Sequence, residues 1–275
     1  MRALPFKPRP LLGTDFDGYT KSWEKLIAEG SLADLEACFM SSDGKTRINY
    51  VYLDESVLGP LLKNAVAGAD LIKTKFVLVP GETPDDAPVF SLALYHTTAD
   101  GCYVPDAKNP AYYLAGVAAL PAGLGIGRHQ PAATPAGPVP PGPVPPGYVP
   151  TATAEIWIKN WNDLHPGGLN RQLFEASNEA ANAPDAGTHL RGYTFMATDF
   201  MIPWPAQPTA SDALWLNFDA KPQHPDIPNS ALVFSTIVDI NKIPVSDEPG
   251  LLILSRQAVD DAFYDISKPC PPYTC

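Results

Sequence analysis

The chain has 275 residues, 45% of them hydrophobic and 18% charged, with 19 basic against 30 acidic side chains and a formal charge of −11. That apolar share supports a real core, while the acidity and the lack of any Lys/Arg cluster argue against nucleic acid or an anionic membrane as partner. The 32 prolines remove backbone donors and forbid long helices, so short elements and many turns are expected.

Arg2, Lys7 and Arg9 near the N-terminus are followed by no apolar run, so no secretory signal is read there. No uncharged apolar stretch is long enough to span a bilayer. The expected setting is that of a soluble protein, cytoplasmic or exported without a cleaved signal.

Trp23, Leu26 and Ile27 share a helical face and Gly30 ends that helix. Leu32, Leu35 and Phe39 continue the helical spacing to Ser41. Asp43-Gly44 marks a turn, and Arg47–Leu53 alternates as a strand. Gly59-Pro60 predicts the start of a helix that buries Leu61, Leu62, Ala65 and Val66 and stops at Gly68. Leu71–Val79 then reads as a strand with Ile72, Thr74, Phe76 and Leu78 on one face, and Val89–His96 as another.

Gly137-Pro138-Val139-Pro140-Pro141-Gly142 begins a five-residue unit written twice, and no charged residue lies between Arg128 and Glu155. This composition predicts a polyproline or irregular spacer over residues 131–150, dividing an N-terminal module (1–130) from a C-terminal one (151–275).

Beyond the tract, Ala154–Lys159 alternates as a strand, and Leu169, Leu173, Ala176 and Ala180 share a helical face. Thr188–Phe200, Ala213–Phe218 and Ala231–Ile240 read as strands, followed by Leu251–Leu254 and a helix carrying Ala258, Val259, Ala262, Phe263 and Ile266. The expected fold class is α+β, with short antiparallel or mixed sheets and helices on one face. The two segments share an element order in which Gly68-x-x-Leu71 with Phe76 aligns against Gly187-x-x-Leu190 with Phe195, an order compatible with two related modules made by internal duplication.

Motifs for catalysis are sparse. None of His96, His129, His165, His189 and His224 has a second ligand at helical spacing, so no metal site is expected. There is no Gly-x-Ser-x-Gly elbow. Cys38 and Cys102 lack a histidine at a family spacing, although His96 lies near Cys102 in sequence. Gly123-x-Gly125-x-Gly127 lacks the dinucleotide spacing and the Lys-Ser/Thr of a phosphate loop. Asp15, Asp17, Asp85 and Asp86 do not complete a calcium loop. No catalytic residues and no cofactor are therefore assigned.

The remaining candidates are aromatic. Trp157, Trp161, Trp204, Trp215, Tyr112 and Tyr113 sit in expected strands or beside prolines, where they would grip a partner or stack on a sugar. Cys270 and Cys275 bracket two prolines whose bend admits a disulfide. The leading expectation is a non-enzymatic protein-binding or assembly protein, its partner another protein or a second copy of itself, presenting stiff loops and edge strands. The alternatives are a carbohydrate or small-molecule binder using these Trp and Tyr surfaces, and an enzyme whose site is assembled from distant residues.

Overall fold

Trp23 and Ile27 lie one helical turn apart, so a single face buries both: Gly13–Glu29 is helix α1, preceded by strand β1 (Arg9–Leu11). This architecture is that of a computed structural model, which describes residues 6–40, 47–63, 65–66, 70–81, 86–98, 112–118, 148–149, 151–164, 167–175, 189–201, 213–222, 232–239, 263–264 and 268–270. Helix α2 (Leu32–Ala37) opens on a capping box, in which Ser31 Oγ accepts from the Asp34 amide and the Asp34 carboxylate accepts from the Ser31 amide. Strand β2 (Tyr50–Asp54) runs directly into helix α3 (Glu55–Leu62), where the Asp54 carboxylate accepts from the Ser56 amide. Strands β3 (Leu71–Val79), β4 (Val89–Thr97), β5 (Tyr112–Leu114) and β6 (Gly116–Ala118) follow.

Strand β7 (Tyr148–Val149) lies at the end of the tract, and beyond it come α4 (Thr151–Asp163), a 3-10 turn at Arg171–Phe174, β8 (Gly192–Met196) and α5 (Ala197–Met201). The last described elements are β9 (Ala213–Pro222), β10 (Leu232–Asp239), β11 (Phe263–Tyr264) and β12 (Lys268–Cys270). The fold is α+β. Its strands form two antiparallel sheets, sheet 1 in the order β1-β5-β4-β3-β8-β12 and sheet 2 in the order β6-β2-β9-β10-β11-β7.

The sheets meet through aromatic side chains. Phe76 and Phe90 of sheet 1 face Phe218 and Phe234 of sheet 2, with ring centroids 5.6 Å apart for Phe76–Phe234 and 5.5 Å for Phe90–Phe218. Trp23 of α1 meets Phe90 edge-on at 5.0 Å, and Trp161 of α4 meets Phe234 edge-on at 5.1 Å. Each such pair contributes about 0.5–1.5 kcal/mol beyond the burial of its area.

Both sheets draw strands from both sides of the proline tract. Strand β8 lies beside β3, and β2 lies beside β9. The sheets therefore do not divide at residues 131–150, and one hydrophobic core includes side chains from before and after that stretch. Of the tract itself only Tyr148 and Val149 fall within the described residues, and they form β7.

Several elements differ from the sequence-based expectation. Ala154–Lys159 lies in α4 rather than in a strand: Ala154, Ile158 and Trp161 are buried at helical spacing, and the local apolar-polar alternation mimicked a period of two. Helix α3 starts at Glu55, ahead of Pro60, because Asp54 caps it; its buried residues are Val57, Leu58 and Leu61, while Val66 is exposed. The long strand expected from Thr188 breaks after Met196, where the Asp199 carboxylate accepts from the Met196 amide and turns the chain into α5. Of the helix expected from Leu169, the described part is the 3-10 turn, capped by the Asn170 side chain, which accepts from the Leu173 amide. Phe263 lies in strand β11, not in a helix. Residues 251–262 lie outside the described residues.

The element order before the tract is repeated after it. Strands β1 to β6 correspond in turn to β7 to β12, α1 to α4, α2 to the 3-10 turn and α3 to α5. Reading sheet 2 from β7 to β6 and substituting each strand by its counterpart reproduces the order of sheet 1. The registers repeat as well. Leu71↔Met196, Ile72↔Phe195 and Lys73↔Thr194 in β3/β8 match Ala213↔Asp54, Leu214↔Leu53 and Trp215↔Tyr52 in β9/β2, all related by one constant numbering offset. Under this correspondence Phe76 matches Phe218. Phe195, aligned with Phe76 on sequence, instead lies on the strand next to it.

Candidate functional site

Alternation along β9 sends Leu214, Leu216, Phe218 and Ala220 into the core and Trp215, Asn217 and Asp219 to the opposite face of sheet 2. Register then sets their neighbours: Tyr52 lies opposite Trp215 and Tyr50 opposite Asn217 on β2, and Ser235 lies opposite Asp219 on β10. All six are buried, at most 3% exposed.

The aromatic part forms a wall. Tyr52 stacks on Trp215 with centroids 5.2 Å apart, and Tyr50 meets the same indole edge-on at 5.8 Å. Gly116 on β6 pairs with Tyr52, and a Cβ there would sit 2.5 Å from the tyrosine ring and 2.6 Å from Pro8 Cδ. Glycine is required at this point so that the Tyr52 ring can lie against the edge strand.

The polar part is unusual for a buried sheet face. Asn217 Oδ1 and Nδ2 and Ser235 Oγ have no hydrogen-bond partner among the described residues. Leaving such a group dry and unpaired costs about 1–3 kcal/mol. The matching face of sheet 1 differs. There Leu11, Val77, Val79, Ala93 and Leu114 form an apolar cluster covered by Phe16 and Tyr19 of α1, and Ser91 donates to the Ala115 carbonyl at 2.9 Å. Asp219 occupies the position that Val77 holds in the first half, and Ser235 the position of Ser91. The outer face of sheet 1 is apolar at its centre, with Lys73 and Thr97 also buried on it; the outer face of sheet 2 carries an amide, a carboxylate and a hydroxyl.

Of the aromatic candidates from sequence, Trp215 lies in this patch. Trp161 is a core residue whose indole N–H donates to the Ile48 carbonyl at 3.4 Å, with the Arg47 guanidinium 5.5 Å from its ring centroid. Tyr113 is buried in the same core, Trp157 is half-buried on α4, and Tyr112 stacks on Phe16 at 3.9 Å. Trp204 and Cys275 lie outside the described residues; Cys270 is described only by its backbone in β12. Asn217 and Ser235 escaped the sequence reading because polar residues alternating with apolar ones in a strand normally face water. Their burial becomes visible only once both faces of sheet 2 are covered.

Two other reactive groups have structural surroundings. His96 Nε2 lies 2.9 Å from Asp70 Oδ2, which also accepts from the Val66 amide at 2.8 Å. These contacts, the amide first, hold the Asp70 carboxyl below the usual carboxylate range. Among the described residues no hydroxyl or thiol bonds to His96, and the Asp70 carbonyl accepts from the Ala197 amide, so the pair fixes the entry to β3. Cys38 is fully buried, and burial pushes its thiol well above the ordinary range, which suppresses the nucleophilic thiolate.

No helix among the described residues is long and apolar enough to cross a membrane. No protein-family model matches the chain, and no curated protein or solved structure is similar to it.

Proposed function

We propose that the protein is a non-catalytic binding protein whose ligand is a small, uncharged, hydroxyl-rich molecule of the sugar or polyol class, held on the outer face of sheet 2. The observation that carries this reading is Asn217: a fully buried amide whose two polar atoms are unpartnered among the described residues, beside a serine hydroxyl in the same condition. Adjacent hydroxyls of a polyol supply the donors and acceptors that the Asn217 amide and the Ser235 hydroxyl lack among the described residues. The indole of Trp215 and the rings of Tyr50 and Tyr52 give the apolar C–H faces of such a ligand a surface to pack on.

The competing reading, a protein that offers edge strands to a protein partner, has less support. The outermost strands β1, β12, β6 and β7 are two or three residues long, and β1 and β12 contain Pro10 and Pro269. Short, proline-bearing edges oppose strand addition.

Titration of the intact protein with a panel of monosaccharides, oligosaccharides and polyols, followed by tryptophan fluorescence, tests the proposal. A saturable change that Asn217→Leu abolishes supports it. A flat response across the panel, or the same response from the variant, removes it.

A further inference from the structure

We infer that this chain is a covalently fused pseudo-dimer: two copies of a half-length unit, related by internal duplication, that complete each other by exchanging their second and sixth strands, β2 with β8 and β6 with β12. Three independent sets of contacts repeat under the same correspondence. The strand orders of the two sheets are interchangeable, and the exchanged strands β8 and β2 keep one register. The Phe76 amide donates to the Arg191 carbonyl at 2.8 Å, as its counterpart Phe218 does to the Asn49 carbonyl at 2.9 Å. The Trp23 indole donates to the Leu190 carbonyl in the opposite half, as Trp161 does to Ile48. Each of these bonds crosses from one half to the other.

The sequence carries matching traces once the strands fix the alignment. Trp23-x-x-Leu26-x-x-x-Gly30 recurs as Trp161-x-x-Leu164-x-x-x-Gly168. Ala87-x-Val89-Phe90-Ser91 recurs as Ala231-x-Val233-Phe234-Ser235, and Asp70, Phe76 and Pro80 recur as Asp212, Phe218 and Pro222. These matches fall on core aromatics and strand starts, where packing constrains divergence most.

A reciprocal exchange has a physical consequence. Neither half holds a complete sheet, so the interface between them is a homodimer interface made intramolecular, and the covalent connection raises its effective concentration. The test inserts a specific protease site within residues 131–147 of the full chain, cleaves it, and measures mass by size-exclusion chromatography with light scattering. The expected result is one particle of the intact 29.5 kDa mass containing both fragments, plus the added site. It should unfold in a single transition whose midpoint now rises with protein concentration. Fragments that elute separately while keeping native circular dichroism, or two independent unfolding transitions, would overturn the inference.

Discussion

Trp23 and Trp161 make the same hydrogen bond in opposite directions across the molecule. The Trp23 indole donates at 3.2 Å to the Leu190 carbonyl, two residues ahead of β8, and the Trp161 indole donates at 3.4 Å to the Ile48 carbonyl, two residues ahead of β2. Each tryptophan belongs to one half and pins the strand that the other half contributes. Both are fully buried. Trp23→Phe and Trp161→Phe keep most of the apolar packing but remove this bond and part of the ring, so each should cost about 1–3 kcal/mol. Urea denaturation of both variants checks this. A large loss for one and none for the other would count against equivalent roles.

Arg47 and Glu36 form a mostly buried pair at 2.7 Å that also binds across the halves. Arg47 Nη1 donates to the Trp161 carbonyl, and the Glu36 carboxylate accepts from the Gly167 amide. Burial lowers the Arg47 pKa and Glu36 opposes that shift, so the guanidinium depends on its partner. Glu36→Gln should destabilise by about 2–4 kcal/mol, because it strands a buried cation, whereas the double change Glu36→Gln with Arg47→Met should recover part of that loss. Thermal melts of the two single variants and the double variant measure the coupling.

Asp199 is raised to about 6, chiefly by burial, with the Met196 amide and the Thr198 hydroxyl opposing the shift. In the unfolded chain the group titrates near 3.9. Between these values the folded state binds more protons than the unfolded state, so this group's contribution to stability is full below about pH 4 and is lost as pH rises toward 6. Asp199→Asn keeps an acceptor for the Met196 amide and removes the titration. Stability measured from pH 4 to 7 should fall less steeply for this variant than for the parent; parallel curves would show that the carboxyl is not shifted.

Much of the fold was legible because its elements obey a single local period. Strand β3 is legible from Ile72, Thr74, Phe76 and Leu78, and the buried face and C-terminal end of α1 from Trp23, Ile27 and Gly30. α4 was misread because Ile156, exposed on the helix, supplied a false alternation beside Trp157 and Ile158. The repeat was misaligned for a topological reason: strand exchange places β8 next to β3, so the sequence most similar in order to β3 belongs to its neighbour, while its counterpart β9 lies in the other sheet. The polar patch could not be read at all, since nothing in Asn217-Phe218-Asp219 distinguishes a covered face from a wet one.

Asn217→Leu tests the central claim most directly, because an amide retained for a ligand and one retained for structure respond oppositely. Replacing an unpaired buried amide with an apolar group of similar volume should leave stability unchanged or raise it by about 1–2 kcal/mol, while removing the saturable fluorescence response to polyols. Urea denaturation and ligand titration of the same preparation read both quantities. A variant that loses about 2 kcal/mol or more, or that still binds, would contradict the account and assign Asn217 to the framework of sheet 2.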